Sequence, residues 1–148
     1  MIWHVAFSVP NLEEGIEKFS ESLLLREWTP IKHFVGDATY PDGTPYKIDT
    51  RLAFATDGPV AFELFEAIPG TPNAPMDGTV FHHMGYWAGA PTIAEEEARL
   101  AECEWFRTGG DVTADSRAAF FASKLGIWLE ACNVNVERKG LDKYYPAR

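Results

Sequence analysis

The chain contains the same succession of predicted elements, β-α-β-β-β, twice within 148 residues, and this repeat constrains the fold more than any other feature. The first copy begins with an apolar segment at 2–9, rich in β-branched and aromatic residues and therefore typical of a strand. A similar segment at 81–88 begins the second copy, after a stretch at 69–78 that holds three prolines and two glycines. Two copies of one supersecondary unit need each other to bury a core, so we expect an α+β fold.

The first copy is interpreted as a strand, a helix and three further strands. Asn11 follows the first strand and is suited to cap the helix, since its side chain can accept a backbone N–H. Apolar residues recur at intervals of three and four through 12–24, which predicts a helix with one buried stripe. The remaining elements are a strand within 25–35 interrupted by Pro30, a turn-rich loop at 36–49, and strands at 51–56 and 60–68 joined by a turn at 57–59.

The second copy has the same order. Thr92 and Glu95 form a capping box, which predicts a helix that continues to about residue 101. Strands are predicted at 105–113, 118–123 and 126–133, with turns at 109–110 and 124–126. The predicted organisation is a first module at 1–68, a linker at 69–79, a second module at 80–133 and a tail at 134–148. The tail is suited to pack on the body or on a second subunit, and a homodimer is one expected form.

Composition excludes several classes of function. The formal net charge of −9 and the pI near 4.8 oppose nucleic-acid binding, and no polybasic patch indicates a membrane partner. No apolar stretch is long enough to span a bilayer, and the sequence shows no signal peptide. Cys103 and Cys132 are too few for a disulfide framework. We therefore expect a cytoplasmic protein whose cysteines are buried small hydrophobes.

The repeat places chemically active residues at equivalent positions. Aligning the first strands sets His4 against His83, and aligning the last strands sets Glu63 against Glu130. A carboxylate within so apolar a strand is costly to bury unless it is paired or binds a cation. Two imidazoles and two carboxylates form a mixed nitrogen and oxygen set that suits a divalent metal ion.

Nearby residues compete for these positions. His82 and His83 face opposite sides of their strand, so one can bind metal while the other packs, meets solvent or supports a ligand from behind. The alignment of the copies selects His83 as the ligand. Glu66 faces away from Glu63 and is interpreted as a solvated charge. The acidic run at 95–97 is interpreted as a solvated first helical turn, and His33 as a surface residue. The tryptophans are interpreted as core or cavity wall.

Four segments resemble the vicinal oxygen chelate superfamily, which includes glyoxalase I, methylmalonyl-CoA epimerase, extradiol dioxygenases and bleomycin-resistance proteins. These segments are HVAFSVPNLEEGIEKF, VAFELFEAIPGT, FHHMGYWAGA and LGIWLEA, and the resemblance extends to about residue 133. It implies two tandem βαβββ modules that form a curved mixed sheet around a central cavity. The metal ligands it implies are His4, Glu63, His83 and Glu130.

The resemblance also implies a chemistry. A divalent ion (Zn, Ni, Co, Mn or Fe) would be chelated by vicinal substrate oxygens and stabilise an enolate, while a carboxylate moves the proton. Glu130 and Glu63 are the catalytic residues implied, with Glu130 as the mobile base. The expected activity is that of a lyase or isomerase, glyoxalase-like or epimerase-like, on a small carbonyl substrate. A true glyoxalase I is disfavoured because no arginine pattern for the glutathione carboxylates is evident.

Two other functions remain open. The first is a small-molecule binding or resistance protein that uses the cavity without chemistry. The second is an Fe(II) extradiol-type dioxygenase in which His4, His83 and Glu130 form a two-His, one-carboxylate triad. Glu63 would then fill a position that dioxygen and catechol require. The tyrosines of the 36–49 loop, Tyr40 and Tyr46, are suited to cap a bulky or aromatic substrate.

Overall fold

Both copies of the βαβββ pattern are present in the computed structural model of the chain, which describes residues 1–40, 42–71, 73–74, 81–108, 112–124, 128–133 and 135. The elements of the first copy are β1 (Ile2–Val9), α1 (Leu12–Leu23), β2 (Lys32–Thr39), β3 (Pro45–Ala55) and β4 (Ala61–Glu66). Those of the second are β5 (Phe81–Trp87), α2 (Ile93–Ala101), β6 (Trp105–Thr108), β7 (Ala118–Ser123) and β8 (Trp128–Cys132). The predicted α+β fold of two tandem modules is confirmed.

The two modules have the same sheet topology. Their strand orders are β2-β3-β4-β1 and β5-β8-β7-β6, and both belong to one eight-stranded mixed sheet. In each module the first and last strands pair in parallel, β1 with β4 and β5 with β8. The last strand also pairs antiparallel with the strand before it, β4 with β3 and β8 with β7. The first and last strands of a module are therefore neighbours.

Helix α1 begins and ends at clear local signals. The Asn11 side chain accepts the N–H of Glu14 at 2.9 Å, and Leu24 ends the helix in the left-handed conformation with a φ of 57°. The apolar stripe packs on the sheet in a core of Val9, Leu12 and Leu64. The predicted helix at 12–24 is therefore confirmed to within one residue.

Helix α2 has the predicted capping box. The Thr92 hydroxyl accepts the N–H of Glu95 at 3.3 Å, and the Glu95 carboxylate accepts the N–H of Thr92 at 3.1 Å. The apolar side of the helix packs in a second core of Ile93, Leu100, Phe121 and Ala131. None of the helices in the described part of the chain is long and apolar enough to cross a membrane.

The chain divides into two compact units that are not continuous in sequence. The N-terminal unit consists of His4–Ala38 and Tyr46–His82, and thus of most of the first module. The C-terminal unit consists of Met1–Trp3, Thr39–Pro45 and His83–Arg148.

The prediction of a loop at 36–49 is wrong, because β2 continues to Thr39 and β3 begins at Pro45. Between them the N–H of Gly43 donates to the carbonyl of Tyr40 at 2.8 Å, and Gly43 has a φ of 88°. The glycine is needed there because a positive φ is costly for other residues. At 25–29 the chain forms only an isolated bridge, between Trp28 and Ala55.

Other expectations have mixed outcomes. Cys132 is buried as expected, but Cys103 is exposed, because the turn after α2 carries it out of the core. Trp3 is buried and stacks on Trp87 with ring centroids 4.8 Å apart. The predicted turn at 109–110, most of that at 124–126, and all of the predicted tail at 134–148 except residue 135 lie outside the described residues.

Candidate metal centre

In the N-terminal unit, the structure brings together the two residues that the first module contributes to the predicted site. His4 on β1 is fully buried, and its Nε2 lies 3.3 Å from Oε2 of Glu63 on β4. They meet because β1 and β4 are parallel neighbours with Ala6 opposite Glu63, so that His4, two residues earlier, lies on the same face. On the antiparallel side of β4, Phe54 of β3 lies opposite Glu63. The rings of His4 and Phe54 meet edge-on, with their centroids 6.0 Å apart.

The C-terminal unit contains an equivalent pair. Nε2 of His83 on β5 lies 3.5 Å from Oε2 of Glu130 on β8. Gly85 is opposite Glu130 across the parallel strands, and Phe120 is opposite it on the antiparallel side. The His83 ring meets Phe120 edge-on at 5.0 Å. The arrangement is the same in both units. The histidine lies two residues before a small residue, and the glutamate opposite that small residue also has a phenylalanine opposite it on the antiparallel side.

The distances within the two pairs fit metal ligands better than hydrogen-bond partners. Strong hydrogen bonds between nitrogen and oxygen span about 2.7–3.2 Å, whereas the two pairs span 3.3 and 3.5 Å. Two atoms that each lie about 2.1 Å from a common tetrahedral ion are about 3.4 Å apart. Each pair thus offers one imidazole nitrogen and one carboxylate oxygen that could bind a metal ion. The donor set of imidazole nitrogen and carboxylate oxygen therefore fits a divalent cation.

The two glutamates have different surroundings. The Glu63 side chain is 11% exposed and that of Glu130 is 20% exposed. Two residues after Glu130, and on the same face of β8, the Cys132 thiol donates to Glu130 Oε2 at 3.5 Å. The equivalent position after Glu63 is Phe65, which has no polar atom in its side chain. Glu130 is thus the more accessible carboxylate, and a thiol helps to orient it.

The competing residues have other contacts. His82 is buried and meets the ring of Phe65 edge-on at 5.0 Å. His33 lies at the surface as predicted, and its Nε2 is 2.5 Å from Oδ1 of Asp49. Glu66 is not a solvated charge: it binds the Arg51 guanidinium and accepts the N–H of Leu12 at 3.4 Å. The hydrogen bonds from Arg51 hold the pKa of Glu66 below its usual range.

The interpretation of 95–97 as a solvated turn is wrong for Glu96, which is fully buried. Its carboxylate accepts the Tyr86 hydroxyl at 2.6 Å and the Ala90 N–H at 3.0 Å, and it forms an ion pair with Arg99. Burial acts to raise the pKa of Glu96, but the hydrogen bonds from Arg99, Tyr86 and Ala90 outweigh it and lower the pKa to about 2. Burial, followed by the bond to Glu96, raises the pKa of Tyr86.

Sequence reasoning did not find the residues that surround the two pairs. Phe54 and Phe120 could have been found by extending the alignment of the copies to the strand before each glutamate. The Cys132 thiol could have been found from its spacing of two residues after Glu130, which places both on one face.

Comparison with known proteins shows a shared fold at low sequence identity. No family model matches the sequence, and no curated protein matches it either. A hypothetical protein from Bacillus halodurans is 20% identical and superposes with a TM-score of 0.56, over 89% of this chain and 92% of the other. A methylmalonyl-CoA epimerase from Streptomyces coelicolor, in complex with 2-nitronate-propionyl-CoA, is 13% identical, with a TM-score of 0.54 over 88% and 94%. The methylmalonyl-CoA epimerase from Mycobacterium tuberculosis is 17% identical, with a TM-score of 0.51 over 88% and 85%.

These solved structures are similar to this chain over nearly its whole length. They support the resemblance that the four sequence segments gave, and they match the two-module topology described above. The chain therefore shares the fold of these solved structures.

Proposed function

We propose that this chain is a metal-dependent enzyme that transfers a proton next to the carbonyl group of a small substrate. The observation that carries the proposal is the repeated pair of histidine and glutamate on the first and last strands of each module, with spacings of 3.3 and 3.5 Å. Chance would not place the same donors, the same register and the same phenylalanine in both copies. The fold shared with two solved epimerases is consistent with this chemistry.

The ligands proposed are His4, Glu63, His83 and Glu130. When bound, a divalent ion (Zn, Ni, Co, Mn or Fe) would supply positive charge that stabilises negative charge on a substrate oxygen. The phenylalanines behind the glutamates exclude water from one side of each carboxylate, and this strengthens its electrostatic interactions.

Glu130 is proposed as the base that removes the substrate proton. Its carboxylate is more exposed than that of Glu63, and the Cys132 thiol is placed to hold it when it turns toward substrate. Glu63, its counterpart in the repeat, is proposed to hold the proton for the return step. A reversible step of this kind is an isomerisation, and a step followed by loss of a group is a lyase reaction.

A first test concerns the metal. The purified chain is expected to contain a stoichiometric amount of divalent metal by plasma mass spectrometry. We expect Glu130→Ala and His83→Ala to lose it while they keep the circular dichroism spectrum of the fold. His82→Ala is the matched control, because it removes a buried imidazole from the adjacent residue and is expected to retain metal. Full metal retention in both ligand variants would contradict the proposal.

A second test concerns the reaction. A methylmalonyl thioester is a suitable first probe because the solved epimerases are similar to this chain, and metal-dependent incorporation of deuterium from D2O is expected. Oxygen uptake with catechols would instead indicate a dioxygenase. A purified chain without metal and without a metal-induced thermal shift would indicate a binding protein. The cytoplasmic location and the homodimer remain proposals, which fractionation and sedimentation would test.

A further inference from the structure

A groove with a volume of about 420 Å³ lies in the C-terminal unit, beside the last turn of α2. Its lining comes from α2 and the turn after it, from β5, β6 and β8, and from Met1 and Ile2. Every residue that lines it belongs to the C-terminal unit. The volume lies within the range of about 300–1,000 Å³ that is usual for small-molecule sites.

The groove and the ligand pair of the same unit lie on opposite faces of the sheet. Tyr86, which lines the groove, comes three residues after His83 on β5, and Leu129 directly precedes Glu130 on β8. Side chains alternate between the two faces along a strand, so Tyr86 and Leu129 point away from the face that carries His83 and Glu130. A molecule in the groove is therefore a second ligand and not the substrate of the proposed metal centre.

The walls of the groove are mostly apolar, and the apolar residues are Met1, Ile2, Leu100, Trp105 and Leu129. Two of these side chains are exposed, Met1 to 75% and Ile2 to 46%. Met1 is nevertheless fixed against β5, because its carbonyl accepts the N–H of Trp87 at 3.1 Å. Exposed apolar surface beside a groove is typical of a place where a ligand binds.

Arg99 gives the groove a positive charge. Its Nε and Nη2 donate to Oε1 of Glu96, so the N–H groups of Nη1 point away from Glu96. Glu96 is fully buried and does not line the groove, whereas the Arg99 side chain lines it and is 51% exposed. The ion pair therefore turns its positive end toward the groove and its negative end toward the core. None of the described residues that line the groove is acidic, so the local charge favours an anionic group even though the whole chain carries −9.

We propose that this groove is a second binding site, for an amphipathic monocarboxylate whose apolar chain lies along Ile2, Leu100 and Leu129 and whose carboxylate binds Arg99. A guanidinium group suits a carboxylate because its planar N–H groups match the two oxygens. A carboxylate also matches the single positive charge of Arg99, whereas a phosphate would bring a second negative charge close to Glu96. The site does not involve the metal ligands, so the inference is independent of the proposed function.

The thiol of Cys103 makes occupation of the groove measurable. Cys103 lines the groove and is exposed, whereas Cys132 is only 1% exposed, so we expect the uncharged reagent iodoacetamide to alkylate Cys103 in the folded full chain. A ligand in the groove covers this thiol and slows its alkylation, which mass spectrometry measures. A ligand bound elsewhere leaves the rate unchanged.

The probes are decanoate and decylammonium, which have the same chain length and opposite charges. In titration calorimetry we expect decanoate to bind about fivefold more tightly, the upper range for an exposed ion pair, and to slow the alkylation of Cys103 at the same concentrations. The net charge of −9 attracts the cation, so a preference for the anion has to come from Arg99. Butanoate, which lacks six methylene groups, is expected to bind more than tenfold more weakly than decanoate. The proposal is overturned if decanoate does not bind, if decylammonium binds as tightly, or if bound decanoate leaves the alkylation rate unchanged.

Two variants test the charge and the wall separately. In Arg99→Gln the side chain can still donate to Glu96 but has no charge, and we expect the preference for decanoate over decylammonium to disappear. Ile2→Glu keeps the pair of Arg99 and Glu96 and places a negative charge on the groove wall. We expect it to weaken decanoate binding more than tenfold and to leave the metal content unchanged.

Ile31→Glu is the matched control for Ile2→Glu. Ile31 is an isoleucine of similar exposure, 42% against 46%, but it lies in the N-terminal unit, so its variant is expected to bind decanoate with the affinity of the wild type. Wild-type affinity in Ile2→Glu would refute the proposed site. A wild-type chain that sediments as a dimer and does not bind decanoate, with an Ile2→Glu variant that sediments as a monomer, would instead indicate that a second copy covers the groove.

Discussion

Glu96 offers a direct test of how a buried carboxylate contributes to stability. Its Oε1 accepts the Tyr86 hydroxyl and the Arg99 guanidinium, and its Oε2 accepts the Ala90 N–H. In Glu96→Gln one of these oxygens becomes an NH2 group. With the NH2 group at the Oε2 position, the buried Ala90 N–H faces another donor. With it at the Oε1 position, the Tyr86 hydroxyl can turn to accept, but the Arg99 guanidinium then faces a donor.

The expected cost follows from the contacts. A buried donor left without an acceptor costs about 1–3 kcal/mol. Loss of the charge attraction to Arg99, whose side chain is 51% exposed, adds no more than about 1 kcal/mol. The pKa gives a second route to the number: a carboxyl whose pKa falls from 4.5 to about 2 on folding contributes about 3 kcal/mol. The contacts thus predict a loss of about 1–4 kcal/mol at neutral pH, and the pKa gives about 3 kcal/mol, which lies within that range.

The pH dependence has a definite sign. The pKa of Glu96 is lower in the folded state, so its contribution is present above the unfolded pKa of 4.5 and is lost as the pH falls toward 2. The free energies of unfolding of the wild type and of Glu96→Gln, measured by urea titration, are expected to differ at neutral pH. They are expected to converge in acid, where the carboxyl group of Glu96 is protonated.

Glu97→Gln is the control for this measurement. Glu97 is the adjacent acid, and it pairs with Arg107 at 2.9 Å, but its side chain is 34% exposed. We expect Glu97→Gln to lower the free energy of unfolding by less than about 1 kcal/mol. If Glu96→Gln unfolds with the wild-type free energy, or if the two variants cost the same, the argument from burial is wrong.

Two further predictions concern the N-terminal unit and the metal. Arg51 binds Glu13 and Glu66 but is 38% exposed, so Arg51→Met is expected to lower the free energy of unfolding by about 1 kcal/mol in a urea titration, and a loss above 3 kcal/mol would contradict this. Removal of bound metal by a chelator is expected to lower the thermal midpoint, because a ligand present at a thousand times its Kd stabilises by about 4 kcal/mol. The midpoint of Glu130→Ala is expected not to respond, and an equal response in this variant would exclude the metal site proposed.

The fold could be predicted because its signals are local or repeated. Alternating apolar residues and caps at Asn11 and Thr92 define most elements, and the second copy confirms the first. The same repetition identified His4, Glu63, His83 and Glu130 as equivalents before any contact was known. The alignment of the two copies also selected His83 rather than His82, and Nε2 of His83 lies 3.5 Å from Oε2 of Glu130.

The errors have a common physical cause, since each depends on partners distant in the sequence. Glu96 has two acidic neighbours and resembles a solvated residue, but Tyr86 and Ala90 on the β5 side supply the donors that allow its burial. Glu66 was misinterpreted in the same way, because Arg51 reaches it from β3. The 36–49 segment contains glycine, proline and aspartate, yet pairing with neighbouring strands overrides these weak preferences.

The discontinuity of the C-terminal unit has a consequence for how the chain is made. Its segments Met1–Trp3 and Thr39–Pro45 are synthesised well before His83–Arg148, to which they belong. A growing chain therefore cannot complete this unit until β8 at Trp128–Cys132 has left the ribosome. A gene cut within the 69–79 linker would likewise encode two fragments, neither of which contains the whole of this unit. Although the modules repeat in sequence, one of the two units can be completed only after both modules have been synthesised through β8.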